Sequence, residues 1–417
     1  MPDWTATLVI GFNLALIFLL IAAPIGTRTI ARRTFVRAPA ARVWNAVWPL
    51  GGDAGWSGEI LSAAPAEDGG GLTRIVLSWL GRDGNPIERL VRLDDVRDMR
   101  HYEMRVVDDS SLHADFWAKF HEEVTLEEAD GGVHLTMRQT DSYRGLAFYI
   151  FRYFVLRRQM AKLRSWSETG AFRKGGVFEH PLTQVGMAIA SILILWPLAG
   201  LTPGGLAFAV VLTIVVALHE LGHMAAFRVA GHRSARMIFI PLLGGIAIGG
   251  RPYDSHFEVA FVALMGAGFS AFLVPPLMAA SQAVAAGGNV HGGNFLAVAV
   301  ACIALFNLAN LVPVWKFDGG QVLRQICPNT TVLAIASFAL LAGFLAVGAS
   351  AGFPTRVLVV GGAVFAILSL ITTGSGVRPR DQLKPLTTPG RLALAGALAA
   401  VIVIHSVGVL WSFNALV

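Results

Sequence analysis

Apolar positions along the chain fall into two patterns. In one, they run on almost unbroken for about 20 residues, the length a helix needs to cross a hydrocarbon layer roughly 30 Å thick. Eight stretches do this, approximately Thr5–Ile25, Leu182–Leu201, Gly205–Val229, Val259–Ala285, Phe295–Val314, Val332–Ala351, Val357–Thr373 and Leu392–Phe413. In the other, from about residue 34 to 174, Arg, Asp and Glu are frequent and apolar residues recur at short periods. Here Thr34–Pro39 reads as extended and Ala40–Leu50 as a helix, with Val43, Val47 and Leu50 at helical spacing. Thr73–Leu80, Ile87–Leu93, Tyr102–Val107, Phe116–Leu126 and Val133–Thr140 read as strands, separated by turns such as Asp83-Gly84-Asn85 and Asp130-Gly131-Gly132. Tyr143–Thr169 reads as a helix mixing Phe148, Ile150, Phe151 and Phe154 with Arg152, Arg157, Arg158 and Lys162, able to close the domain and to touch anionic lipid.

These patterns predict a polytopic α-helical membrane protein of about eight spans with one inserted α+β domain. The expected division is a membrane anchor over 1–27, the polar domain over 33–172, a membrane core over 182–330 and C-terminal transmembrane helices over 331–417. Composition agrees, since 14% charged residues against 54% hydrophobic is far below the charged fraction of about 25% usual in soluble proteins. The formal charge of +6 does not mark a nucleic-acid binder, because the Lys and Arg residues sit beside apolar segments.

Those cations instead set topology, as cytoplasmic connections carry the excess of Lys and Arg. Arg28, Arg32, Arg33 and Arg37 follow the first span; Arg173 and Lys174 precede the second; Arg228, Arg233 and Arg236 follow the third; Lys316 and Arg324 follow the fifth. Arg378, Arg380, Lys384 and Arg391 lie between the last two, and all fall on one side if the spans alternate. The expectation is an integral protein of a bacterial inner membrane with the polar domain cytoplasmic and both termini outside. Met1–Trp4 carries Asp3 and no Lys or Arg, so the first segment reads as a retained anchor and not as a cleaved signal. Cys302 and Cys327 make no disulfide framework.

Candidate chemistry sits in the third and fifth apolar stretches. His219-Glu220-Leu221-Gly222-His223 puts two imidazoles one helical turn apart on one face. Ionisable groups in a bilayer cost at least about 2.5 kcal/mol each, so three at one turn need a shared partner, which a divalent cation supplies. Neutral imidazole suits zinc, and a catalytic zinc site has three protein ligands with a fourth position open. Glu220 adjoins the first ligand and can act as general base. Asp318-Gly319-Gly320 alone is an ordinary Asp turn. It follows the fifth stretch, however, which runs in the same direction as the third, so Asp318 can approach His219 and His223 at similar depth.

The His219-Glu220-x-x-His223 motif, followed by Asn310-x-x-Pro313-x-x-x-x-Asp318-Gly319, resembles the site-2 protease family of intramembrane metalloproteases over about Gly205 to Gln321. The resemblance implies Zn2+ held by His219, His223 and Asp318, Glu220 as catalytic acid/base, and Asn310 in support of the substrate or developing oxyanion. Single-span membrane proteins would be the substrates. Met237–Ile248, too short to span and broken by Pro241, Gly244 and Gly245, is expected to be a re-entrant extended segment whose edge pairs with an unwound substrate. Met265–Ala271 is similar to a Gly-rich family segment, or else serves close helix packing.

The polar domain, from Arg37-Ala38-Pro39-Ala40-Ala41-Arg42-Val43-Trp44 onward, resembles the START-like helix-grip domains over Arg33 to Trp166. That implies a sheet curled around the long helix, with a lipid or peptide as possible ligand. A lipid-sensing membrane protein with a non-catalytic metal site is the alternative function.

Overall fold

The computed structural model describes the chain except residues 1–10, 13–14, 17, 21, 68–69, 173–179, 241–243, 315–316, 373–379, 381 and 417. It divides into two compact units, residues 1–174 with 374–382, and residues 175–373 with 383–417.

In the first unit, strand β1 (Pro24–Val36) leads into helix α1 (Ala40–Val47), then strands β2 (Ile60–Pro65), β3 (Leu72–Leu80), β4 (Pro86–Arg97) and β5 (His101–Asp109). A single turn, α2 (Ala114–Trp117), precedes β6 (His121–Ala129) and β7 (Gly132–Arg144), and helix α3 (Leu146–Thr169) ends the run. The seven strands form one antiparallel sheet in the order β1-β7-β6-β5-β4-β3-β2. Alternation decides which face is covered. Val124 and Leu126 of β6, Val133, Leu135 and Met137 of β7, and Ile30 and Val36 of β1 point inward, and Leu156, Met160 and Leu163 of α3 pack on them. Tyr102 anchors α1 to the same core, its hydroxyl donating to Val47 O at 2.7 Å while Trp44 and Trp48 stand edge-on to its ring. Glu122 is buried on this face, which pushes its pKa up, and it accepts a hydrogen bond from Gln139 Nε2 at 2.6 Å.

Leu156 is 0% exposed. Its replacement by Ala should destabilise this unit by about 2–5 kcal/mol, the usual cost of a cavity at such a site. The urea midpoint of protease sensitivity within residues 24–169 measures this, and an unchanged midpoint would mean that α3 does not hold the sheet together.

Three details of the polar domain differ from the sequence reading. β1 begins at Pro24, so the last residues assigned to the first apolar stretch pair with β7 instead (Pro24 with Arg144). β2 was not anticipated; it is an edge strand whose residues are all half-buried or exposed, so no apolar alternation marks it. Phe116 and Trp117, assigned to a strand, close a helical turn.

The second unit is helical: α4 (Pro181–Leu198), α5 (Pro203–Val229), the hairpin β8 (Arg236–Ile240) and β9 (Gly244–Ile248), α6 (His256–Ala271), α7 (Val274–Ala286), α8 (Val290–Asn310), α9 (Asp318–Ile326), α10 (Thr330–Ser350), α11 (Thr355–Thr372) and α12 (Thr388–Leu416). Among the described residues, six helices are long and apolar enough to cross a membrane: α4, α5, α6 with α7, α8, α10 and α12. Six of the eight stretches read from sequence thus meet that length among the described residues. Most of Thr5–Ile25 lies outside the described residues. In α11 the described apolar part, Thr355–Phe365, is shorter than a span.

The stretch Val259–Ala285 is broken at Phe272 and Leu273, ahead of Pro275 and Pro276, whose rings cannot be accommodated in a helix interior. α8 stops at Asn310 and not at Val314, in keeping with Pro313 three residues on. The segment Met237–Ile248 is the β8–β9 antiparallel hairpin, with Met237 opposite Ala247 and Phe239 opposite Gly245. Its tip, residues 241–243, lies outside the described residues.

Candidate metal centre

α5 presents His219 and His223 to α6 and to the start of α9. The rings stand edge to face, 4.7 Å apart. Their approach to α6 requires Gly266, since a Cβ there would lie 2.5 Å from His223 Nε2 and 2.7 Å from His219 Cε1. Asp318 enters from the first turn of α9, where the helix dipole favours a carboxylate. His219 Nε2 is 3.0 Å and His223 Nε2 is 3.3 Å from Asp318 Oδ2, and the two ring nitrogens are 3.0 Å apart. His219 is 3% and Asp318 8% exposed.

The hydrogen bonds behind the rings decide what those three atoms can do. Asn307 Nδ2 donates to Ile303 O at 2.8 Å, which leaves its Oδ1 to accept from His219 Nδ1 at 2.8 Å. His223 Nδ1 donates to Val262 O at 2.7 Å, a carbonyl that can only accept. Both neutral imidazoles are thereby fixed as the Nδ1–H tautomer, with the Nε2 lone pairs aimed at Asp318 Oδ2. With both rings neutral, three acceptors converge with no proton among them, and Asp318 Oδ2 is buried without a hydrogen-bond partner. Such a group needs either a protonated ring or a cation. His219, His223 and Asp318 can hold a metal ion, each offering one ligand atom within 4.8 Å of the others.

Glu220 lies on the next position of α5, beside a cleft of about 280 Å³ lined also by His219, His223, Asn310 and Asp318. Its Oε2 accepts from Ala247 N at 3.1 Å, and its stem packs on Gly245, where any Cβ would collide with it. Ala247 therefore turns its N–H away from β8 and toward the cleft, making this the edge of the hairpin that adjoins the centre. Asn310 lines the cleft, with Nδ2 donating to Phe306 O at 2.9 Å. It makes no hydrogen bond to His219, His223 or Asp318.

Some supporting residues were not singled out from sequence. Asn307 belongs to the second motif but has no local signal for its contact with His219. His405 of α12 is fully buried, with Nε2 3.0 Å from Ala267 O, next to the glycine on which the histidine rings pack. Glu258 gathers His232 Nε2, Arg251 Nη2 at 3.0 Å and Asp254 N at 2.7 Å at the start of α6. The last had a sequence sign: Ser255-x-x-Glu258 is a capping box, and Glu258 N donates to Ser255 Oγ at 3.1 Å.

No family model matches the chain, and no curated protein matches it. Solved structures similar to its N-terminal third include the Aha1 dimer from Colwellia psychrerythraea, at 11% identity over 34% of this chain and 98% of that one, with a TM-score of 0.27. A START superfamily protein from Mycobacterium smegmatis is similar at 12% identity over 34% and 99%, with a TM-score of 0.27. The protein SSP2350 from Staphylococcus saprophyticus is similar at 13% identity over 36% and 98%, with a TM-score of 0.26. Residues 24–169 form a seven-stranded antiparallel sheet with two short inserted helices and α3 laid on β1 and β7.

Proposed function

We propose that the chain is an intramembrane zinc metalloendopeptidase that cuts single-span membrane proteins within or near the bilayer. The observation carrying this reading is the convergence of two tautomer-fixed imidazoles and one orphaned carboxylate oxygen beside Glu220 and an open cleft. Zinc bonds of about 2.0–2.2 Å at tetrahedral angles separate their ligand atoms by about 3.3 Å, which the three observed spacings approach. A nitrogen–nitrogen–oxygen donor set with a fourth side facing a cleft suits catalytic zinc better than a closed structural site. Bound there, the ion would supply Lewis-acid polarisation of the scissile carbonyl and a nucleophile at neutral pH.

The chain's own residues do the rest. Glu220 would take the proton released when the peptide carbonyl is attacked and return it to the leaving amine. Its tie to Ala247 N holds the carboxylate over the cleft before substrate arrives. A transmembrane helix hides its carbonyls in internal hydrogen bonds, so the cut segment must unwind. The β9 edge next to Glu220 offers a strand for it to pair with. Asn310, on the cleft wall, is placed to support the substrate or the developing oxyanion. The arrangement of Lys and Arg along the chain favours an orientation with the helix-grip domain in the cytoplasm.

Membrane proteomics on cells carrying either the wild type or Glu220→Gln tests the reading. Single-span proteins should persist at full length only in the variant, whereas identical membrane proteomes, or zinc flux into vesicles holding the purified chain, would argue against a peptidase. A smaller effect is expected at Asn307. Alanine there frees the His219 tautomer and should weaken zinc affinity by about 10–100-fold, as outer-shell changes do, measured by competition with a chelating dye. Unchanged affinity would show that the Asn307 contact does not orient the ring.

A further inference from the structure

We propose that the outward face of the first half of α3 docks onto the anionic lipid surface of the membrane that carries the chain. This inference is independent of the metal centre and rests on reading the apolar stretch from Thr5 as a membrane anchor. Among the described residues of that stretch, 11–12, 15–16 and 18–20 are helical, and Phe12, Leu16, Phe18 and Leu19 are exposed. The chain leaves it at Ala22 and Ala23. Gly145 N donates to Ala23 O at 2.8 Å, and Arg144 Nε donates to Ala22 O at 3.3 Å. These bonds fasten the start of α3 to Ala22 and Ala23, which on that reading is where the chain leaves the membrane.

Two faces of α3 are distinct. Leu156, Met160, Leu163 and Ser167 point into the grip. Phe148, Phe151, Phe154, Val155 and Arg158 recur along the opposite side, with Phe151 61% and Phe154 54% exposed. A soluble domain does not leave a stripe of aromatic residues in water without a partner. The exposed large apolar residues of α3 lie between Phe148 and Val155, within about 15 Å of the helix start at 1.5 Å rise per residue. Arg157 and Arg158, both exposed, border them. From Leu146 to Ser167 the helix carries Arg152, Arg157, Arg158, Lys162 and Arg164 and no acidic residue. Aromatic side chains flanked by cations at headgroup depth are the chemistry of an interfacial helix on anionic lipid. A protein partner would not require the face to begin beside the anchor.

The test uses the full chain with Cys302 and Cys327 replaced by Ala and a single fluorescent label at Phe151→Cys or, as a control, Asp130→Cys. Position 130 is in the turn before β7, at the far end of that strand, about 40 Å from Arg144 for twelve residues of extended chain. In vesicles containing phosphatidylglycerol, quenching by lipids with a nitroxide just below the headgroup should be about threefold stronger at 151 than at 130, as expected for insertion to about 5–10 Å. It should fall to the control level in Arg157→Glu/Arg158→Glu and in pure phosphatidylcholine. Equal access of aqueous iodide to both labels would overturn the proposal, as would a label at 151 shielded from both lipid and iodide, which would mean a protein covers the face. Lipid quenching unchanged by the charge reversals would overturn the requirement for anionic lipid.

Discussion

Glu220→Gln should lower cleavage of a reconstituted single-span substrate by at least about 10²–10⁴-fold, the range for removing a general acid/base, while zinc stays bound. Gln keeps the length of the side chain and an oxygen to accept from Ala247 N, so the β9 edge and the packing on Gly245 need not move. What disappears is a carboxylate able to hold a proton between attack and departure of the amine. Zinc content measured alongside turnover separates this from loss of the centre. Normal turnover with zinc retained would remove Glu220 from the chemistry, and loss of zinc would make it a ligand or a structural group.

The second large effect is expected at Asp318. Asp318→Asn preserves shape at the first turn of α9 but removes the carboxylate that meets both His219 Nε2 and His223 Nε2. A direct ligand should matter more than the about 10–100-fold typical of an outer-shell partner. After dialysis against a chelator, the variant should therefore hold far less than one zinc per chain, and proteolysis should fall with it. Because Asn keeps the shape of the side chain without burying a charge, the metal-free variant should still fold. Full zinc stoichiometry in Asp318→Asn would leave the third ligand to be found elsewhere.

Much of this centre is legible in the sequence because it rests on short-range geometry. Two histidines four apart in an apolar helix must share a face, and Glu220 must lie beside them. Asp318 needed one further step, the parallel course of α5 and α8, which places it near the pair. What the sequence does not reveal depends on contacts between distant elements. Asn307 meets His219 across 88 positions, and Val262 O meets His223 Nδ1 across 39. Neither contact follows from periodicity. Gly245 and Gly266 likewise read as turn or packing glycines until Glu220 and the histidine rings are seen against them.

The same distinction holds for the fold. Strands with a buried face, such as β6 and β7, announce themselves by alternation, whereas edge strand β2 covers no core and passes unnoticed. Hydropathy also runs on through Ala22, Ala23, Pro24 and Ile25, so only the pairing of Pro24 with Arg144 reveals that the strand has begun. The break between α6 and α7 falls inside the single apolar stretch Val259–Ala285, where the prolines at 275 and 276 account for it and hydropathy does not register it.

Zinc K-edge X-ray absorption on the purified full chain tests the central claim most directly. One zinc per chain is expected, with two imidazole nitrogens at about 2.0–2.1 Å and carboxylate or water oxygen at about 2.0–2.2 Å, and with the imidazole signal lost in His219→Ala/His223→Ala. A chain that takes up no zinc after loading, or a zinc bound through sulfur at about 2.3 Å, would contradict it.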